Sequence, residues 1–311
     1  MSYKLRILSL GAGVQSSTIL LMACKGLLPR PDAAIFADTG WETNATYIHL
    51  EWLKAEAGKH GIPIIVVDNG NIRANTLGAQ VRGKRWVSMP LFTKQIGGYY
   101  TDYSNIHLED GKRVWGAGVI SLGLLRRQCT LEHKITPIKR EIRRMLGIKP
   151  RCVAPKDCVE QWIGISTDEA QRIFTRQPSR ESVMTYPLIN LNMSRYDCMV
   201  WLRANYDIVV PKSSCVGCPY HSQKEWRALS EPEFKDACFF DEAIRHKGGV
   251  KGDLYLHRSC VPLSEVDLST PEERGQVVFD FIKDDKLNLF VNNISIHTRS
   301  TTTLKPAKWG R

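Results

Sequence analysis

The chain has 311 residues, of which 43% are hydrophobic and 24% charged, and its formal net charge is +11. This length and composition are typical of a soluble globular protein with one α/β domain of about 200 residues and an additional region. The longest apolar runs are far shorter than the roughly 20 residues that a membrane span needs, and the N-terminus has no secretory signal pattern. We therefore expect a cytoplasmic protein with no membrane partner.

Apolar strands alternate with amphipathic helices in the first third of the chain. The periodicity predicts three strands and two helices, namely strands at residues 5–10, 33–37 and 62–67 and helices at residues 16–25 and 44–57. A strand–helix–strand–helix–strand order is typical of a parallel sheet with helices on its faces. The sequence therefore predicts an α/β fold.

The following segments are less regular. Residues 69–126 are rich in Gly, Tyr and basic residues, and we expect long loops there, over the sheet edge at which such folds bind ligands. Within them, Tyr99, Tyr100 and Tyr103 are candidates for stacking on a base. Further elements are expected at 131–146 (a helix ending at Gly147), 162–165 (a strand) and 194–205 (a helix).

The alternation ends near residue 210, where we place a domain boundary. Residues 1–210 are predicted to form the α/β domain. Residues 211–311 are predicted to form a mainly helical region that contains a CxxC motif and ends in a basic tail.

The first strand leads into SLGAGVQSST, residues 9–18, which is a candidate anion-binding turn. Gly11 and Gly13 allow close backbone approach, and the helix that follows directs free N–H groups at a ligand. A Walker loop is excluded because no GK[ST] follows. Gly11, Gly13 and Ser16 match a dinucleotide fingerprint except for its third glycine, and Asp38 lies where a ribose-binding acid is expected. On this stretch alone, dinucleotide binding and ATP pyrophosphatase chemistry are equally supported.

Nine cysteines are many for a chain from a reducing compartment, which favours metal or sulfur chemistry over disulfides. Cys24 and Cys198 fall in apolar helical patterns and are expected in the core. In SSCVGCPYHS the Cys215-x-x-Cys218 turn directs two sulfurs at one point, which is typical of a metal site. His221, three residues further on, is expected to be structural.

Two other roles for the cysteines stay open. Cys152 and Cys158 could join the CxxC motif in a structural Zn²⁺ site. Alternatively, Cys129 or Cys152 could carry a persulfide, with a thiol pKa lowered by neighbouring arginines.

The segment from Arg126 to Arg151 holds nine Lys or Arg residues against two Glu residues. Such an excess favours a surface that binds polyanions, since phosphate contacts supply most non-specific affinity for nucleic acid. Charge alone does not separate DNA from RNA, and a solvated helix face is the plainer interpretation.

Four short sequence blocks, taken in chain order, resemble motifs of the phosphoadenosine phosphosulfate reductase family, within the adenine-nucleotide α-hydrolase (PP-loop) group. The chain is similar in particular to the ATP pyrophosphatases of DNA phosphorothioation systems, over residues 5–230. The first block is the glycine turn, where Gly11 and Gln15 stand in place of the family's usual Ser and Asp. The residues that the resemblance assigns to ATP are Ser9, Gly11, Gly13, Gln15, Ser16, Ser17, Asp38, Thr39 and Gly164.

The remaining blocks carry the other assignments. FADTGWE, residues 36–42, would lie near the adenosine half, although a simple turn also explains it. LLRRQCTLEHKITPIKREI contains Arg127, Cys129 and Lys134 in the family's spacing. WIGISTDEAQRI contains Gly164, Asp168, Glu169 and Arg172, and an ion pair between Asp168 and Arg172 explains those two almost as well. Four blocks together outweigh the dinucleotide interpretation.

The resemblance implies a PP-loop domain that inserts sulfur into nucleic acid at the expense of ATP. Arg127 and Lys134, with Mg²⁺, would stabilise charge on the phosphates. Cys129, Cys215 and Cys218 would hold a [4Fe–4S] cluster, with Cys238 or Cys260 as a candidate fourth ligand, and Zn²⁺ is the alternative metal. Cys129 would also border the nucleotide. The implied partners are nucleic acid, with DNA favoured over tRNA, and a cysteine desulfurase as sulfur donor; a homodimer stays open.

Three alternative functions use the same residues. A phosphoadenosine phosphosulfate reductase would release sulfite without cleaving ATP, and a tRNA thiolation enzyme would modify a base. A non-catalytic nucleotide- or nucleic-acid-binding protein is the third, because Gln15 lacks the charge of the usual Asp.

Overall fold

The structure is a computed structural model, and it describes residues 3–78, 88–96, 106–109, 112–115, 120–173, 179–247, 250 and 252–275. The chain divides into two compact units, Met1–Val266 and Asp267–Arg311. In the described part of the second unit, the Asp267 carboxylate accepts a hydrogen bond from the Ser269 N–H. The domain boundary expected near residue 210 stays a prediction.

The described elements of the first unit are ten strands and eight α-helices. The strands are β1 (Leu5–Leu10), β2 (Ala33–Asp38), β3 (Ile64–Asp68), β4 (Phe92–Ile96), β5 (Ile106–Glu109), β6 (Lys112–Trp115), β7 (Ile120–Leu124), β8 (Val159–Ile163), β9 (Ser182–Thr185) and β10 (Asp253–Tyr255). The helices are α1 (Val14–Cys24), α2 (Asn44–Lys59), α3 (Ile72–Gly78), α4 (Thr136–Met145), α5 (Pro187–Asn190), α6 (Arg195–Tyr206), α7 (Gln223–Arg227) and α8 (Glu231–Ile244).

A five-stranded parallel sheet in the order β3-β2-β1-β8-β9 forms the centre of this unit. The α/β prediction is therefore confirmed at the level of a Rossmann-like sheet flanked by helices. Successive strands go from β1 to β2 and β3 on one side, and the chain then returns to β8 and β9 on the other. The order reverses between β1 and β8, and in such sheets the crevice outside the carboxyl ends at this point is the usual ligand site.

Alternation along β1 divides its side chains between two cores. Leu8 packs on one face with Leu20 of α1 and Leu202 of α6, whereas Ile7 packs on the other face with Ile138 of α4. Every residue of α1 is buried, which explains its uniform apolar character from Ile19 onward. Cys24 and Cys198 belong to the first core, as predicted.

The expectation of loops throughout residues 69–126 is wrong in part. This segment contains α3 and the strands β4 and β7. A second, antiparallel sheet has β4 at its centre, paired with β10 on one side and β7 on the other, and β5 and β6 form a hairpin. These short strands find their partners through long-range pairing, which composition does not reveal. Tyr99, Tyr100 and Tyr103 lie outside the described residues.

The helix predicted at 131–146 begins later than expected. A π-helical turn, Thr130–Ile135, precedes α4, and Gly147 follows the helix with a positive φ of 67° while its N–H bonds the Arg144 carbonyl. Single π-helical turns occur frequently at functional sites because they displace side chains from the regular helical positions. This turn carries Lys134.

Candidate nucleotide and cysteine sites

The loop between β1 and α1 is shaped by Ser16. The Ser16 hydroxyl accepts a hydrogen bond from the Gly11 N–H at 3.2 Å and donates one to the Gly13 carbonyl at 3.3 Å. Gly13 is the N-cap of α1 and is extended, with φ −100° and ψ 176°, and no side chain caps the helix. The first turn of α1 is therefore closed by a serine within the loop and offers its N-terminus toward the sheet edge.

Gly164 brings the end of β8 directly onto this loop. A Cβ at Gly164 would lie 2.9 Å from the Ser16 nitrogen and 3.1 Å from its Cα, both backbone atoms. Only glycine fits so close an approach. The predicted residues Gly11, Gly13, Ser16 and Gly164 therefore meet where the strand order reverses.

Gln15 lies buried in a polar network beside the loop. Its amide nitrogen donates to the Glu169 carboxylate at 3.1 Å and to the Ser166 hydroxyl at 3.3 Å. Its amide oxygen accepts from Arg195 Nη1 at 3.0 Å. A carboxylate at position 15 would keep the contact with Arg195 but face the carboxylate of Glu169, whereas the Gln15 amide accepts from the first and donates to the second.

The ion pair weighed for Asp168 and Arg172 is not the one formed. Arg172 Nη1 pairs instead with Glu169 Oε1 at 2.6 Å. Asp168 accepts from the backbone N–H of Arg195 at 2.9 Å, and its hydrogen bonds with Ser166 and this N–H lower its pKa. Asp168 thereby positions the residue whose guanidinium contacts Gln15.

Two further serines of the loop region are engaged with neighbours. The Ser9 hydroxyl accepts from the Gln161 amide at 2.8 Å, which links β1 to β8. The Ser17 hydroxyl, fully buried, lies 2.9 Å from His49 Nε2. Burial lowers the pKa of His49 to about 4, so the imidazole is neutral near pH 7.

Asp38 and Thr39 end β2 at the same sheet edge. Asp38 Oδ1 accepts from the Gly40 N–H at 2.7 Å and from the Tyr47 hydroxyl at 2.8 Å. Burial, with help from the Asp38 carboxylate, raises the pKa of Tyr47, which keeps this phenol protonated. The acid at the end of β2 is therefore held in a fixed orientation by a tight turn and a phenol.

The CxxC segment crosses this edge close to both groups of residues. At one end, a Cβ at Gly13 would lie 3.6 Å from Ser213 Cβ. At the other, Cys215 forms an isolated antiparallel bridge with Glu42, and its sulfur lies 3.2 Å from the Thr39 hydroxyl. Residues 213–218 thus connect the glycine loop to the end of β2.

Glu42 is a buried carboxylate beside Cys215. Its side chain is 1% exposed. Oε1 accepts from the Thr39 hydroxyl at 3.0 Å and from the Cys215 thiol at 3.6 Å, and it lies 3.6 Å from Lys134 Nζ. Oε2 is buried and has no hydrogen-bond partner among the described residues.

Lys134 interacts electrostatically with all three of the predicted cluster cysteines. Burial alone would lower the pKa of Lys134, but Glu42, Cys215, Cys129 and Cys218 raise it, and the net shift is upward. The Lys134 side chain as a whole is 41% exposed, and its Nζ lies 3.6 Å from Glu42 Oε1. The role of Lys134 at the ATP phosphates stays a prediction.

The two thiols of the CxxC motif are held in the protonated form. Burial, followed by the Glu42 carboxylate, raises the pKa of Cys215, and the Lys134 ammonium opposes this. Burial also raises the pKa of Cys218, which interacts with Cys129, Arg127 and Lys134. Cys129, Cys215 and Cys218 thus influence one another and Lys134 electrostatically, and their role as metal ligands stays a prediction.

Backbone contacts with a distant segment position Cys129 and Arg127. The N–H groups of Gln128 and Cys129 both donate to the Ser88 carbonyl, at 3.0 and 2.8 Å. The Arg127 guanidinium lies 5.3 Å from the centre of the Tyr220 ring, a cation–π arrangement that places it beside the CxxC turn. Arg127 is exposed and available to an anionic ligand.

The remaining cysteines lie in other surroundings. Cys152 and Cys158 precede β8 at the amino edge of the sheet, opposite the CxxC motif, so the structure does not assemble them with it into a zinc site. Cys260 donates to the Thr93 carbonyl in the second sheet at 3.8 Å, and Cys238 lies on α8 with Asp241 as its charged neighbour. Within the described ranges, no three His, Cys, Asp or Glu side chains form a group that could hold one metal ion.

His221 is structural, as expected. Its Nε2 lies 3.0 Å from the Cys215 carbonyl and 3.2 Å from the Val216 carbonyl, so an Nε2–H bonds both and fixes the CxxC turn. Burial lowers its pKa.

The sequence-based assignments omitted two residues of the site, Glu42 and Arg195. For Glu42 the sequence offered one indication, an acid directly after DTGW, and for Arg195 it offered none.

The basic segment is partly neutralised within the fold. Arg144 pairs with Glu141 at 2.6 Å, Arg143 lies 3.8 Å from Glu181, and Arg140 donates to Asn69. Lys139 forms no ion pair or side-chain hydrogen bond of this kind in the part of the chain that the structure describes. The free charge offered to a polyanion is therefore smaller than the count of nine basic residues indicates.

Comparisons of the chain with family models, with curated proteins and with solved structures found no match. Among the helices of the described residues, none combines the length and the apolar character that crossing a membrane requires.

Proposed function

We propose that this chain is an ATP-dependent sulfur-insertion enzyme of the PP-loop type, related to the phosphoadenosine phosphosulfate reductase family, and that its acceptor is nucleic acid. The acceptor oxygen would attack the α-phosphate of ATP and release pyrophosphate. A sulfur nucleophile delivered at the cysteines would then displace AMP. DNA is favoured over tRNA because of the similarity to phosphorothioation proteins.

One observation carries this proposal: the residues expected to bind ATP and those expected to handle sulfur lie beside one short segment. Residues 213–218 touch Gly13 at one end and Thr39 and Glu42 at the other. An activated phosphate bound at the loop would thus lie near the thiols. A reaction that couples adenylation to sulfur delivery requires this proximity.

The chain supplies distinct groups for each half of the reaction. The α1 N-terminus, closed by Ser16 and covered by Gly164, offers backbone N–H groups to phosphate oxygens. Arg127 is exposed beside the CxxC turn and can neutralise charge that develops on the leaving pyrophosphate or AMP. Lys134, held at the sulfurs by Glu42, stabilises an anionic sulfur there.

Thiolate ligands favour an iron–sulfur cluster or Zn²⁺, and the proposed sulfur chemistry favours the cluster. A cluster spreads its thiolate ligands over several irons, and three cysteines here share one neighbourhood. When bound at Cys129, Cys215 and Cys218, a [4Fe–4S] cluster would supply an iron site for sulfide; Mg²⁺ would supply charge to the ATP phosphates.

The test uses anaerobically purified protein with α-labelled ATP, Mg²⁺ and sulfide, in the presence of DNA, tRNA or neither, and measures AMP, pyrophosphate and sulfur in the acceptor. We expect AMP and pyrophosphate, with stimulation by DNA. Lys235→Met is the matched control for Lys134→Met, because Lys235 pairs with Glu231 on the surface of α8. The control should keep full activity, and Lys134→Met should lose sulfur transfer.

Other outcomes identify the alternatives. Sulfite released from phosphoadenosine phosphosulfate, with ATP untouched, would make the protein a reductase. Stimulation by tRNA alone would make it a tRNA thiolation enzyme. Tight binding of ATP or DNA, with no turnover of ATP or of phosphoadenosine phosphosulfate, would show that the chain is a binding protein and would overturn the proposal.

A further inference from the structure

The Glu42 carboxylate lies between the CxxC turn and the segment that carries Cys129. Its Oε1 is 3.6 Å from the Cys215 sulfur, and Cys218 closes the same turn through its N–H to the Cys215 carbonyl at 3.2 Å. Cys129 directly precedes the π-helical turn whose Lys134 Nζ lies 3.6 Å from the same oxygen. The sequence nominated Cys238 or Cys260 to complete the cysteine set. Cys238 lies on α8 with Asp241 as its charged neighbour, and Cys260 donates to the Thr93 carbonyl of the second sheet at 3.8 Å. No contact of the described residues places either of them at the CxxC turn.

The two oxygens of Glu42 differ in their use. Oε1 serves Thr39, Cys215 and Lys134, at 3.0, 3.6 and 3.6 Å. Oε2 is buried without a hydrogen-bond partner among the residues described. A buried carboxylate oxygen without a partner is unfavourable because it has lost its hydration, so a native site is expected to give it a ligand.

The backbone holds Glu42 in this place independently of its side chain. Its residue forms the isolated bridge with Cys215, the Thr43 N–H donates to the Ser214 carbonyl, and the Val216 N–H donates to the Trp41 carbonyl. Backbone pairing between residues 41–43 and 214–216 therefore fixes Glu42 beside the CxxC turn.

We propose that Glu42, through Oε2, is the fourth protein ligand of the iron–sulfur cluster held by Cys129, Cys215 and Cys218; this inference rests on the function proposed above. A carboxylate oxygen is a harder and more easily exchanged ligand of iron than a thiolate. When a cluster is bound, Glu42 would hold one iron through oxygen, and this would be the iron at which the cluster could exchange a protein ligand for sulfide. Cys238 and Cys260 are not ligands.

The experiment measures the iron sites directly in the full chain. Wild type, Glu42→Gln, Glu42→Cys, Cys238→Ser and Cys260→Ser are reconstituted anaerobically with ⁵⁷Fe and sulfide, then examined by iron and sulfide analysis, Mössbauer spectroscopy and electron paramagnetic resonance. Pyrophosphate release from ATP is measured on the same samples. Circular dichroism checks that each variant is folded.

We expect about four irons in wild type, one of them with Mössbauer parameters of an oxygen-ligated site. Glu42→Gln should lose about one iron in four and show the resonance of a three-iron cluster. Glu42→Cys should make the fourth site resemble the others. The Cys238→Ser and Cys260→Ser controls should match wild type.

The Mössbauer spectrum of the wild type tests the ligand assignment by itself, so the test stands even if the Glu42→Gln protein does not fold. Four equivalent irons in wild type, loss of iron in either cysteine control, or no iron binding at all would each overturn it. Pyrophosphate release separates the two ideas. Release without the distinct iron overturns the ligand assignment alone, and the distinct iron without release overturns the proposed function alone.

Discussion

The glycine loop and the cysteine region lie at one edge of the same sheet but are built in opposite ways. Around the loop, the side chains satisfy one another: Ser16 bonds two backbone groups, and Gln15 uses both its oxygen and its nitrogen. Around the cysteines, buried polar atoms lack hydrogen-bond partners among the described residues, namely Glu42 Oε2, Gln128 Oε1 and His133 Nδ1.

This difference separates two kinds of preorganisation. A loop that binds phosphate through backbone N–H groups keeps its shape without the ligand, because side chains brace it from behind. A site whose buried carboxylate and amide oxygens lack partners carries a desolvation cost that an incoming ligand can relieve. We therefore expect the loop to be a rigid receptor, and the cysteine region to gain stability when loaded.

Alanine at Gly217 or at Gly164 should have the largest effects and should damage the two regions separately. A Cβ at Gly217 would lie 2.1 Å from Trp41 Cη2, and the indole cannot retreat because its Nε1 bonds Asp236 at 2.8 Å. We expect each substitution to lower the free energy of unfolding by about 3 kcal/mol or more. Denaturant unfolding measures this, while calorimetry and iron analysis report nucleotide and iron binding.

Gly217→Ala should lose iron binding and keep ATP binding, whereas Gly164→Ala should do the reverse. The control is Gly58→Ala in α2, where the added Cβ meets nothing within 4 Å. It should stabilise the helix by about 0.5–1 kcal/mol. Loss of both activities in both variants would show that the regions are not separate.

The sequence predicts the first of these regions better than the second. The order from β1 to β3 was readable because apolar residues recur with a period of two in strands and near 3.6 in helices. Gly11, Gly13 and Ser16 lie between the first two elements, so their position followed directly. The closure by Gly164 was implied by resemblance, but its physical reason, the 2.9 Å approach to Ser16, needs coordinates.

The cysteine region depends on contacts between distant segments, which local patterns do not encode. The bridge between Glu42 and Cys215, and the Ser88 carbonyl that holds Cys129, join segments far apart in the chain. The π-helical turn that positions Lys134 also departs from the regular helix that the periodicity predicted. For these reasons the sequence did not reveal the contact between Lys134 and Glu42 or assign Glu42 a role.

The second prediction concerns the pH dependence of the loop region. Burial lowers the pKa of His49 to about 4, from 6.5 in the unfolded chain, so the unfolded state binds the proton more readily. Above pH 6.5 His49 is neutral in both states, and the protein has its full free energy of unfolding. As the pH falls toward 4, the unfolded state takes up the proton first, and the free energy of unfolding decreases by about 3 kcal/mol. Burial lowers the pKa of His133, His221 and His257 in the same direction.

His49→Gln should flatten the fall in unfolding free energy between pH 6.5 and 4, measured by urea titration at each pH. His60→Gln, at the exposed end of α2, serves as the surface control for replacing a histidine. Parallel curves for His49→Gln and wild type would contradict the assignment.

A third prediction separates stability from chemistry in the cysteine region. Lys134→Met leaves the Glu42 carboxylate buried without its ion pair, and we expect a loss of about 2 kcal/mol, discounted because Lys134 is partly exposed. Adding Glu42→Gln should restore most of that stability, since the uncompensated charge is then gone. The double variant should still lack sulfur transfer. Full transfer in the double variant would show that the ion pair is only structural.

The fourth prediction concerns a charge introduced at Gln15, which is itself neutral. Gln15→Asp places a second carboxylate beside Glu169, and we expect a loss of about 1 kcal/mol in unfolding free energy. Glu169→Gln in the same chain should recover it, a coupling that a double-mutant cycle measures. A Gln15→Asp protein that is more stable than wild type, or that releases pyrophosphate faster, would show that the loop prefers an acid.

The smallest effect is expected on the basic segment and tests whether it serves as a polyanion surface at all. For each phosphate that the protein no longer neutralises, the slope of log K against log salt should fall by about 0.7–0.9 for nucleic acid. Lys139→Gln removes a charge that forms no ion pair among the described residues, whereas Arg144→Gln removes one already paired with Glu141. We therefore expect a few-fold weaker DNA binding and a lower slope for Lys139→Gln, and a smaller change for Arg144→Gln. Equal slopes in wild type and both variants, measured by fluorescence anisotropy, would mean that the segment is a solvated helix face, and the acceptor would then have to be recognised at the sheet edge itself.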